Sequence, residues 1–199
     1  MDSTSALSSP RKPGARRLQI LQTLATMLED PKGERVTTAA LAARLTVSEA
    51  ALYRHFASKA QMFEGLIEFI ETTIFGLINE ISTREESGVK QVRSMVAMLL
   101  DFSQTNRGMT RVLIGDALVN EHERLQERMN QLLERIEASI KQSFRVAITA
   151  RELPESFDSG ARANLVVSFV LGRWLRFAKS GFRKAPAEGL DAQMPVLVG

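Results

Sequence analysis

At 199 residues and 44% hydrophobic content the chain can bury one or two cores, and the absence of cysteine excludes disulfides, thiolate metal sites and a cysteine nucleophile. No apolar run approaches the roughly 18 residues of a membrane span, and the polar start "MDSTSALSSPRKPGARR" lacks a signal-peptide core, so a cytoplasmic protein is expected. The net charge of +3 is unevenly placed: residues 1–60 hold 9 Lys/Arg against 5 Asp/Glu and residues 61–199 hold 17 against 18, which points the first third toward a polyanion.

Residues 1–15 mix Ser, Pro, Gly and basic side chains without period and read as a disordered basic arm. From Arg16 the pattern turns helical, with Leu18, Leu21, Leu24, Ala25 and Leu28 at three/four spacing until "EDPKGER" interrupts it. Thr37 or Thr38 can cap a short helix, "AALAARL", and after a break at Thr46-Val47, Ser48 can cap another that reaches about His55-Phe56. Glu49 falls in the first turn of that helix, where the dipole favours an anion. Ser58 caps a long fourth helix to about Ile81; further helices are expected over Val89 to Ser103 and Met109 to Leu118.

From Asn120 to Ile148 one stripe carries Leu125, Met129, Leu132, Leu133, Ile136, Ile140, Phe144 and Ile148, with a Glu137/Lys141 pair on another face. Its spacing suits a bundle or a coiled coil. Ala161 to Ser180 is helical, and the tail after "RKAP" can hold one more short helix. No segment alternates as a strand would. The expected class is all-α with about nine helices: a helix-turn-helix module over 16–60 (motif 37–56) and a larger helical dimerisation bundle over 61–199.

Two short helices joined by about three residues, braced by a preceding helix, form the helix-turn-helix arrangement. Ala39, Ala40, Ala42 and Ala43 allow a steep crossing, while Leu41, Leu45, Val47, Leu52 and Phe56 supply a minimal core. A helix entering a major groove about 12 Å wide needs a small outward face, which Ser48, Ala50 and Ala51 provide. Donors able to hold phosphates flank it: Thr37, Thr38, Tyr53, Arg54, His55 and Lys59, with Arg16 and Arg17 at the start of the first helix. Small residues would approach base edges while donors clamp the backbone. The alternative is an ordinary Ala-rich surface pair of helices.

The stretch "VTTAALAARLTVSEAALYRHFASKAQMFEGL" resembles the TetR family of dimeric DNA-binding proteins, in its Thr-led helix, its "VS" turn exit and "LYRHF" followed by a lysine. Beyond that module, "LIEFIE" (66–71), "GMTRVLIGDAL" (108–118) and "RLQERMNQLLERIEASIKQ" (124–142) resemble the nucleoid occlusion branch of the family. The resemblance implies a homodimer on palindromic chromosomal sites, located at the nucleoid, that engages the cell-division GTPase FtsZ and blocks septum assembly over DNA. It also implies an FtsZ-facing groove between the fourth and fifth helices, where Phe69, Met98 and Asn106 match. The chain departs from that branch at Leu77, where an arginine is usual, and at Asp101 and Thr105, where glycine and arginine are. Thr46 stands at the usual glycine of the turn, where a positive φ would strain a β-branched residue.

In "VVSFVLGRWLRF", Leu165, Phe169 and Gly172 form one stripe and Val166, Val170, Trp174 and Phe177 a neighbouring one. A helix apolar over so wide an arc buries both faces, either inside its own core or at a dimer interface built from Leu165, Phe169, Gly172 and Trp174. A reader of palindromes needs two heads about 34 Å apart, hence a rigid dimer. The two histidines, His55 and His122, lie in separate helices and have no acidic pair at ligand spacing, so no metal is expected. No carboxylate pairing or Gly-rich phosphate loop suggests an enzyme, and no cofactor or small-molecule ligand is expected. Two rivals stay open: a ligand-responsive TetR-type repressor with an effector pocket, and a helical interaction module without DNA.

Overall fold

Hydroxyl and acid caps mark the starts of five helices among the described residues. The computed structural model describes residues 14–30 and 36–199; the N-terminal arm, apart from its last two residues, and most of the "EDPKGER" loop lie outside the described residues. The elements are α1 (Ala15–Met27), α2 (Thr38–Arg44), α3 (Glu49–Tyr53), α4 (Lys59–Arg84), α5 (Gly88–Thr105), α6 (Arg107–Leu113), a 3-10 turn (Asp116–Leu118), α7 (Glu123–Thr149), α8 (Ser159–Lys179) and α9 (Leu190–Val198). No strand occurs among the described residues. Thr37, Ser48, Ser58, Ser87 and Asp158 each accept a backbone N–H of the helix they precede, satisfying donors that the first turn leaves without partners.

Several boundaries differ from the sequence pattern: α3 ends at Tyr53, short of His55-Phe56, and α4 runs past Ile81 to Arg84. The stretch Met109 to Leu118 is not one helix, because Gly115 adopts φ 76° and separates α6 from the 3-10 turn. Helix α7 begins at Glu123, since Asn120 turns into the left-handed region (φ 65°) and His122 caps it by accepting the Arg124 N–H.

Helices α1 to α3 close on Ile20, Leu24, Leu41, Leu45, Leu52 and Phe56, all buried. The fourth helix runs from this head into the body. Where it passes the head, a Cβ on Gly65 would sit 3.2 Å from the Phe56 ring, so only glycine keeps that spacing relaxed. Further along, Ile70, Ile74 and Ile78 of α4 join Val92, Met95, Val96 and Leu99 of α5 in one continuous core.

The stripe of α7, from Leu125 through Phe144 and Ala147, is buried inside this bundle against α4, α5 and α8. Its apolar seam is buried by packing within the chain, as the bundle reading expects. On α8 the two stripes separate in part, since Phe169 of the outer one is half-buried and packs against the core. Val166, Val170, Trp174 and Phe177 face the core, while Leu165 is 50% exposed and a Cβ on Gly172 would meet no heavy atom within 4 Å. Trp174 is 0% exposed and its indole N–H donates to the Leu99 carbonyl at 3.1 Å. A side chain wholly enclosed by its own chain cannot touch a second copy, so Trp174 is a core residue and leaves the expected dimer set.

Candidate nucleic-acid interface

The head presents α3 outward by its burial pattern. Leu52 is buried, whereas Ser48, Glu49, Ala50, Tyr53 and Arg54 are exposed, Tyr53 at 44%. Ser48 and Thr37 each accept a backbone N–H at the start of their helices, from Ala51 at 3.3 Å and Ala40 at 3.1 Å. A hydroxyl that accepts in this way still has its own O–H to donate, which suits a phosphate oxygen. The turn between α2 and α3 holds Thr46 at φ 55°, the left-handed conformation that favours glycine.

Three expected phosphate donors are engaged inside the molecule. The Thr38 hydroxyl donates to Glu49 at 2.6 Å, bracing α2 against the start of α3. Arg17 places its guanidinium 4.1 Å from the Phe56 ring centroid and donates to the His55 carbonyl, fastening α1 to the end of the recognition segment. One of five guanidinium donors is used there, so the others can still meet a phosphate. Lys59, in the first turn of α4, pairs with Glu121 at 2.5 Å and is only 22% exposed. His55 is half-buried in the turn that follows α3. Pattern reading missed Glu49 and Glu121 as partners of these donors: the pairs are 11 and 62 residues apart, beyond any local periodicity.

The second surface lies between α4 and α5. A three-residue link makes them antiparallel, and Gln91 locks their register by donating to the Glu85 carbonyl at 2.8 Å. Phe69 is 40% exposed on the outer side of α4, and Met98 is half-buried. Asn106 ends α5, donating its side-chain amide to the Phe102 carbonyl at 2.9 Å. Phe69 and Asn106 thus lie toward the head, with Met98 about 12 Å back along α5 from Asn106. Leu77 is half-buried, while Asp101 and Thr105 are exposed.

A helical head with an outward second helix, on a larger bundle entered by one long helix, is the architecture of TetR-type regulators. Residues 33–66 match the model described as bacterial regulatory proteins of the tetR family, and residues 78–199 match a tetracyclin repressor-like C-terminal domain of the SlmA-like type. Solved structures agree on the fold: FadR of Bacillus subtilis in complex with stearoyl-CoA (TM-score 0.75, 11% identity, 92% of this chain and 97% of that one) and PfmR of Thermus thermophilus (TM-score 0.73, 17% identity, 90% and 97%).

Among curated sequences, the nucleoid occlusion factor SlmA of Idiomarina loihiensis is 48% identical over 182 residues, covering 92% of this chain and 93% of its own. That of Aliivibrio fischeri is 45% identical over 192 residues, covering 96% and 97%. The chain belongs to the SlmA family of nucleoid occlusion factors. Among the described residues, no helix is long and apolar enough to cross a membrane.

Proposed function

We propose that this chain acts as a nucleoid occlusion factor: a homodimer whose two heads bind a palindromic duplex and whose α4/α5 groove, in the DNA-bound state, engages FtsZ and antagonises its assembly. Septa are thereby kept from forming over the nucleoid, and the protein works at the nucleoid. The observation that carries this reading is that family identity extends through the C-terminal half, 78–199, and not only through the reading head. In the head, Ser48, Ala50, Tyr53 and Arg54 would face the groove and its phosphates, with Thr37 and Arg17 alongside. Thr38 and Lys59 would reach phosphate only by exchanging an internal partner, Glu49 or Glu121, for the DNA backbone. Leu165, Phe169 and Gly172, outward on α8, are the surface for the second copy.

A ligand-controlled repressor needs a polar-lined interior pocket. Here the buried polar residues Gln91, Ser103, Thr110 and Ser143 are each hydrogen-bonded, and no buried side-chain polar atom among the described residues lacks a partner that an effector would have to supply. That satisfaction of the buried polar groups supports occlusion. The deciding experiment is sedimentation of FtsZ polymers with the protein and with either its selected palindrome or a scrambled duplex. Loss of pelleted FtsZ only with the palindrome is expected; pelleting unaffected in both would refute the reading.

A further inference from the structure

The head meets the body through α4 and also where α1 crosses α6, and that second contact is unusually close. A Cβ on Gly108 would lie 1.9 Å from the Ala25 carbonyl oxygen and 3.2 Å from the Leu28 Cβ, so the two backbones touch. Three residues on, along the same face of α6, Arg111 reaches past the end of α1. Its Nη1 donates to the carbonyls of Leu28 at 3.4 Å and Asp30 at 3.2 Å, in the region where a helix end leaves carbonyls without partners.

The other edge of the same guanidinium is held. Nε and Nη2 both donate to Asp116 Oδ2, at 2.8 and 2.7 Å, and Asp116 Oδ1 accepts from Lys179 Nζ at 2.9 Å. Lys179 is the last residue of α8, and the Arg111 side chain is only 12% exposed. A continuous polar path therefore runs from the end of α1 through Arg111, Asp116 and Lys179 to α8. That helix carries the exposed Leu165 and Gly172 and the half-buried Phe169, proposed above to pair the two copies.

The geometry points to Arg111 as a positioning residue for DNA reading. It does not face the duplex; it fixes each head relative to the helix that pairs the two copies, and so sets the distance and angle between the two recognition segments. This rests on the reading of the chain as a dimer on palindromic DNA. One extra base pair between half-sites displaces the second by about 3.4 Å and turns it by about 35°. Heads clamped by Arg111 cannot follow such a change, whereas released heads can swing to meet it.

The test compares wild type with Arg111→Met and Asp116→Asn on three duplexes: the palindrome that wild type selects from a random pool, the same palindrome with one base pair inserted at its centre, and a single half-site. Wild type is expected to lose at least tenfold in affinity on insertion. Both variants are expected to lose about threefold or less, chiefly by binding the uninserted palindrome more weakly, while their half-site affinity stays within about twofold of wild type. A merely structural role would weaken all three duplexes alike. A folded, dimeric variant that keeps the wild-type insertion penalty overturns the inference. If Arg111→Met does not fold, Lys179→Gln, at an exposed end of the path, takes its place with the same criterion. A wild-type chain with no preference for paired half-sites would instead overturn the palindrome reading itself.

Discussion

Thr46 carries a β-branched side chain at φ 55°, and its hydroxyl donates to the Leu45 carbonyl at 2.7 Å. The left-handed conformation costs an L-residue about 1–2 kcal/mol, of which glycine is relieved, though glycine adds freedom to the unfolded chain. Thr46→Gly should stabilise the protein by about 1 kcal/mol, a rise in Tm of roughly 2–4 °C for a chain of this size. A Tm that falls would mean that the hydroxyl contact outweighs the strain. On the exposed side of the head, charge separates two kinds of contact. Arg54→Ala should weaken binding to every duplex and lower the slope of log affinity against log salt by about 1, because one condensed counterion fewer is released. Tyr53→Phe should weaken binding with the slope unchanged, since the phenol carries no charge. Titration at several salt concentrations distinguishes them.

Among the elements, α4 borders both candidate surfaces, with its first turn at the head and Phe69 on its outer side. Phe69→Ala removes an exposed ring that contributes little to the core, so thermal stability and DNA affinity should hold while inhibition of FtsZ assembly is lost. Full inhibition by this variant would place the partner surface elsewhere. The sequence made the long elements easy to read for physical reasons. A 27-residue helix such as α7 repeats its stripe enough times to be unmistakable, and hydroxyl caps mark α2, α3 and α4 locally. It was silent where contacts join distant residues. Helix α8 carries two apolar stripes, and only the position of the Leu99 carbonyl, 75 residues earlier, decides that Trp174 faces inward. The engagement of Thr38 by Glu49 and of Lys59 by Glu121 is equally invisible to periodicity, and it changes what those donors offer to DNA.

For the whole molecule, palindrome reading requires that two copies hold their heads at one separation, and α8 offers an exposed Leu165 beside a half-buried Phe169 for that pairing. Phe169→Glu places a charge in that face, so sedimentation velocity should find monomers that bind palindromes poorly. A stable dimer would move the interface. The clamp between head and body also has a pH signature. Burial raises the Asp116 pKa, but the hydrogen bonds and charges of Lys179 and Arg111 outweigh it and hold the carboxyl below its ordinary value. A carboxylate with a lowered folded pKa lends stability that is complete above its unfolded value, near 4, and is lost as pH falls through the folded one. Asp116→Asn should therefore flatten the acid limb of the stability profile and leave its slope between pH 6 and 8 unchanged.

The aromatic inventory has an optical consequence. The chain holds one tryptophan and one tyrosine: the indole is sealed in the body, and the phenol stands in the open on α3, on the face proposed to meet DNA. Emission from Trp174 should be blue-shifted and unmoved when a duplex is added, shifting red only as the bundle melts. Tyr53 absorbance and emission should respond to the duplex, and again when the head that carries the residue melts. One unlabelled sample thus carries two independent reporters, and a denaturation followed at both wavelengths will show whether the reading head melts together with the scaffold beneath it.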